Sequence, residues 1–86
     1  MLMPATLRPF MVVRVAVIRG DRFTGRKVFY SRHPLVGDIG TVLDVHEKPE
    51  LGYEVECSDP STGTTIWLEA MYPDEIEACP DDSAVP

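Results

Sequence analysis

Apolar and polar residues alternate with a period of two along most of this chain. No stripe of helical spacing runs beyond about three turns before proline or glycine interrupts it. The pattern predicts an all-β domain. Met11 to Arg19 is the strongest predicted strand, rich in β-branched residues, with Val13, Val15 and Val17 on one face and Arg14 on the other. Gly20-Asp21 ends it. Residues 20–38 read as a long irregular excursion around the short apolar piece Val28-Phe29-Tyr30, with room for one short strand.

Downstream, Ile39, Thr41, Leu43 and Val45 share a face, as do Tyr53, Val55 and Cys57, and then Thr64, Ile66, Leu68 and Ala70. Asp59-Pro60-Ser61-Thr62-Gly63 is a turn, with Asp to open it, Pro preset for its second position and Gly free to take a positive φ. Closing that turn pairs Cys57 with Thr64, Val55 with Ile66 and Tyr53 with Leu68. Closing the 47–51 loop pairs His46 with Gly52, Val45 with Tyr53 and Leu43 with Val55. A three-strand meander follows, with all of these apolar positions inward. After Met71-Tyr72-Pro73, the segment Asp74 to Ala78 reads as one helical turn or a short closing strand. The expectation is a small SH3-like barrel of about five antiparallel strands, with a long first loop and a short 3-10 or helical turn near the C-terminus. Residues 11–79 form the barrel, 1–10 a flexible arm or an upstream start ahead of Met11, and 80–86 a disordered tail.

The motifs Gly37-Asp38-Ile39-Gly40-Thr41-Val42-Leu43-Asp44-Val45, then Gly52-Tyr53-Glu54-Val55-Glu56-Cys57, then, after a turn, Thr64-Thr65-Ile66-Trp67-Leu68, then the acidic Asp74 to Glu77, resemble a family of small bacterial SH3-like barrel domains of unknown function. More distantly, the Gly-x-x-Gly-x-Val opening is similar to KOW-type and ferredoxin-binding SH3-like barrels. The resemblance covers about residues 37–78 and implies the fold, without catalytic residues to carry over. The chain departs from it in its longer, more basic 20–36 loop and in Cys57, where an aromatic is usual.

At 86 residues the chain has material for one core only. Its net charge of -6 conceals a split: residues 1–37 hold seven of the eight Lys+Arg against Asp21 alone, and residues 38–86 hold thirteen acids against Lys48 alone. No apolar run approaches the roughly 20 residues a membrane helix needs, and Arg14 breaks the run that would serve a secretory signal. A cytoplasmic protein without membrane contact is expected. Cys57 and Cys79 are too sparse for a disulfide scaffold and are expected as free thiols.

Catalytic chemistry finds little to use. Gly37 and Gly40 lack the helix and cation of a phosphate loop and read as a bend entering a strand. His33, His46, Cys57 and Cys79 are too scattered for a metal site. Cys57 is expected to be buried and inert, and the acidic pairs Glu54/Glu56 and Asp74/Glu75 to be solvated surface charge. No enzyme activity, metal or cofactor is expected.

Two surfaces remain. In the derived register Trp67 lies outward among Glu54, Glu56, Asp44 and Glu69, with His46 at the edge, as an aromatic anchor for a basic partner. The competing reading covers Trp67 with the 20–36 loop or with Phe10 and the arm. The basic segment Arg14, Arg19, Arg22, Arg26, Lys27 and Arg32, interleaved with Phe23, Phe29 and Tyr30, has the ingredients of a nucleic-acid surface, which the acidic remainder of the chain opposes. The leading expectation is a protein-interaction module whose partner is another protein or a second copy, the basic loop meeting the acidic strand face. An immunity or inhibitor protein that neutralises a toxin, and nucleic-acid binding through residues 14–32, are the alternatives.

Overall fold

The computed structural model describes residues 7–79, so residues 1–6 of the expected arm and the expected tail 80–86 lie outside the described residues. Five strands, β1 (Val12–Val15), β2 (Ile39–His46), β3 (Gly52–Ser58), β4 (Thr65–Met71) and β5 (Ile76–Ala78), form one antiparallel sheet in the order β4-β3-β2-β1-β5. The sheet is all-β and barrel-like, with a long loop between β1 and β2 and a 3-10 turn at Pro73–Glu75. Among the described residues no helix is long and apolar enough to cross a membrane.

β1 is shorter than its apolar run. Val13 and Val15 are buried and Arg14 points out, but the chain leaves the strand after Val15 and Val17 is exposed. The amides of Ala16 and Val17 both donate to the Glu75 carbonyl, which ends the ladder there. Val28-Phe29-Tyr30 forms no strand.

The meander β2-β3-β4 is present, with two corrections of register. His46 pairs with Gly52 and Val45 with Tyr53, as the alternation requires, but a bulge between Val42 and Asp44 inserts Leu43 as an extra residue. Val42 then faces Val55 and is buried, while Leu43 and Ile39 are exposed. On β4 the irregularity between Cys57 and Ser58 leaves Ile66 unpaired, so Cys57 faces Trp67, Val55 faces Glu69 and Tyr53 faces Met71. Each extra residue inverts the side-chain parity beyond it, because a strand alternates faces at every step. Trp67 and Met71 turn inward where Ile66 and Leu68 were expected.

The energetic reason is size. Removing the roughly 200 Å² of a tryptophan from water is worth about 5 kcal/mol at 25 cal/mol per Å², more than an aliphatic side chain returns at the same position. Trp67 is 1% exposed and packs in one core with Val13, Val15, Val42, Tyr53, Val55, Cys57, Met71 and Ile76. Phe23 from the long loop completes that core, so the loop closes the inner side of the sheet. Residues 7–10 of the expected arm are attached: Leu7 packs on the core and donates its amide to the Tyr53 hydroxyl at 3.3 Å, and the Phe10 amide donates to the Val42 carbonyl.

Gly40 sits where β2 approaches β3 closely. A Cβ there would lie 2.8 Å from the Glu56 carbonyl oxygen and 2.8 Å from a Val55 methyl. The 59–63 turn forms as its residues require, with Gly63 at φ 78°, its amide donating to the Asp59 carbonyl, and the Asp59 carboxylate accepting from the Ser61 amide.

Candidate interaction surface

Two carboxylates fix the long loop to the sheet. Glu75, at the end of the 3-10 turn, has no exposed surface. It accepts from Arg22 Nε at 2.9 Å and Arg22 Nη2 at 2.6 Å, from the Arg19 amide at 2.8 Å and from the Tyr72 amide at 3.0 Å. Burial pushes its carboxyl up, but the Arg22 guanidinium and the two amides outweigh burial and hold it below the ordinary glutamate value. The same Arg22 donates to the Ala70 carbonyl at 3.0 Å, joining the loop to β4.

Asp38 is the second anchor. It receives Arg32 through both oxygens at 2.8 and 3.0 Å, the Trp67 indole N–H at 2.8 Å and the Leu35 amide at 2.8 Å. Burial again raises its carboxyl and these donors lower it further, so the net direction is down. Asp38 is thus the acceptor that lets the Trp67 N–H be buried. The Ser31 and Arg32 amides share the Ile66 carbonyl, the group that the β4 bulge turns out of the ladder.

These contacts correct several expectations. Trp67 is a core residue and offers no surface to a partner. Glu69 lies across from Val55, on the Trp67 side of β4, and does not continue the outer acidic row. Glu75 is a buried anchor rather than solvated charge. Arg22 and Arg32 are occupied inside the chain, Arg14 pairs with Glu77, and Arg19 lies 2.9 Å from Asp74 with its guanidinium 3.7 Å from the centre of the Tyr72 ring. Of the six cations from Arg14 to Arg32, the four at 14, 19, 22 and 32 are in ion pairs. Arg26 and Lys27 have none among the described residues.

Arg26 and Lys27 open an exposed stretch. Phe29 is 73% exposed and Tyr30 52%, with Val28 beside them and the Lys27 ammonium 5.4 Å from the Phe29 ring centre. The base of this tip is braced: the Arg26 amide donates to the Phe23 carbonyl at 3.2 Å, His33 Nε2 donates to the Arg26 carbonyl at 2.9 Å, and the Phe23 and His33 rings stack at 5.4 Å. No family model, curated protein or solved structure matches this chain.

The outer face of the sheet keeps part of its expected acidity. Asp44 pairs with Glu54, and His46 Nε2 lies 3.6 Å from Glu54 Oε1. Glu56 pairs with Thr41 on one side and Leu68 on the other, and accepts from the Thr65 hydroxyl. Exposed Val12 pairs with Thr41, itself the partner of Glu56, exposed Leu43 is the bulged residue before Asp44, and Phe10, 77% exposed, is tied to the same strand by its amide bond to the Val42 carbonyl, so the acids border apolar surface.

Cys57 and Cys79 are free thiols, and burial raises the Cys57 thiol above its ordinary value. A groove of about 320 Å³ between the 46–52 loop and Ala70 to Tyr72 is lined in part by Lys48, Leu51 and Arg22, the last already engaged by Glu75. Among the described residues no group of His, Cys, Asp and Glu is placed to hold a metal ion.

Neither anchor carboxylate was found from the pattern. A usable signal did exist: a tryptophan turned into a core requires an acceptor for its N–H, and Asp38 is an acid set directly before the β2 sequence.

Proposed function

We propose that the chain is a non-enzymatic protein-interaction module built on an SH3-like barrel. The strand order supports the barrel assignment, with a β2-β3-β4 meander on one side of β1 and β5 on the other. The observation that carries the interaction reading is the division of the basic segment. Four of its cations are paired inside the chain, Arg14 between β1 and β5 and Arg19, Arg22 and Arg32 from the long loop, and Arg26 and Lys27 stand with exposed Val28, Phe29 and Tyr30 on the braced tip.

Exposed aromatics flanked by cations form the composition of interface hot spots, and a tip held before binding loses little further entropy on docking. The anchor of the surface moves from Trp67 to Phe29 and Tyr30, and the preferred partner surface is apolar with carboxylates around it. Nucleic acid is less well served, because Arg26 and Lys27 together neutralise few phosphates.

Capture of proteins from the native host on the immobilised chain, beside an Arg26→Glu/Lys27→Glu variant, tests the reading. The wild-type chain is expected to retain a protein that the variant loses, while the variant keeps the buried-tryptophan emission of Trp67. A wild-type chain that retains nothing, or a variant that retains the same protein, overturns it.

A further inference from the structure

Among the described residues, no ion pair joins the basic tip to the acidic sheet face of the same chain. The loop closes the inner side of the sheet, because Phe23 packs in the core with Tyr53, Val55 and Trp67, and the Arg32 and Trp67 side chains converge on Asp38 there. Glu54 and Glu56 alternate with Tyr53, Val55 and Cys57 along β3 and therefore lie on the opposite side. The two surfaces match in both character and charge. One is an aromatic tip with two unpaired cations. The other is a sheet face where Asp44, Glu54 and Glu56 border exposed Leu43, Val12 and Phe10. Phe10 adds a second mark, since its backbone is held at φ 73°, a conformation unfavourable for a residue with a Cβ, while its ring stands in solvent.

We infer that the partner of the tip is the outer sheet face of a second copy of this chain. This rests on the interaction-module reading and names the partner of that same surface. Because tip and face are different patches, the contact is heterologous: each copy offers an unused tip at one end and an unused face at the other, and assembly continues until a ring closes. The attraction is strongest at low ionic strength, where the screening length exceeds the width of the contact.

Light scattering on a sizing column separates the outcomes, using the wild type, the tip variant Arg26→Glu/Lys27→Glu and the face variant Asp44→Asn/Glu54→Gln. At low salt the wild-type mass is expected to rise with concentration past two chains and to fall back towards one chain in high salt. Each variant alone runs as a single chain. An equimolar mixture of the two forms a pair of twice the single-chain mass and nothing larger, since only one tip and one face remain intact. A wild type that stays a single chain at low salt, a variant that assembles as the wild type does, or a mixture that does not pair overturns the inference. A single-chain wild type that still captures a tip-dependent host protein overturns self-association alone and leaves the interaction-module reading standing. A single-chain wild type whose tip retains single-stranded RNA overturns both.

Discussion

Glu75 is removed from water while the Arg22 side chain that pairs with it stays 21% exposed, an arrangement that is stable only when the buried carboxylate finds partners for its lone pairs. Four donors meet that requirement. Because the folded carboxyl is held below its unfolded value of about 4.3, its contribution is fully present above that pH and is lost as pH falls through the lower folded value. Asp38 behaves with the same sign, so the pH dependence of the wild type alone mixes the two. Comparison with Glu75→Gln isolates one of them. The variant is expected to be less stable than the wild type by about 2 to 3 kcal/mol at pH 7, with the gap closing below about pH 4. Urea titrations at a series of pH values measure it, and a gap that does not change with pH contradicts the assignment.

At the scale of the elements, the strands and turns follow from local pattern, while the faces depend on two single-residue insertions. Alternation places β2, β3 and β4 and the 59–63 turn correctly, and it gives the first two β2-β3 pairs. It cannot give the bulges at Leu43 and Ile66, because a bulge is chosen by which side chains the closed core needs and not by the residues inside the strand. The whole error over Trp67 and Glu69 follows from that one step of parity on β4. The acidic face was legible where it lies on β3, whose alternation is unbroken over Tyr53, Val55 and Cys57, and illegible on β4. Gly40 depends on the same geometry, since the close contact exists only because β2 passes directly over the Glu56 carbonyl. Gly40→Ala is expected to lower stability by about 1 to 3 kcal/mol in chemical denaturation, through overpacking between β2 and β3. An unchanged midpoint would show that the two strands are not held at this distance.

For the molecule as a whole, the charge split between the two parts of the chain is neutralised in part inside it. Arg14 with Glu77 ties β1 to β5, while Arg19 with Asp74, Arg22 with Glu75 and Arg32 with Asp38 fasten the long loop, so four of the seven early cations are neutralised inside the chain. A core this small gains from such fastening, because the loop supplies Phe23 to cover an inner side that five short strands leave open. Between Arg14 and Arg32, Arg26 and Lys27 are left without an ion pair among the described residues, beside exposed aromatics. Cations close together in sequence thus divide into those paired inside the chain and those on an exposed tip. The most direct measurement compares the unfolding free energy of Arg22→Ala with that of Arg26→Ala/Lys27→Ala. The first is expected to lose about 3 kcal/mol or more, because Glu75 is left buried and unpaired. The second is expected to stay within about 0.5 kcal/mol of the wild type. Equal losses in the two variants would contradict the division.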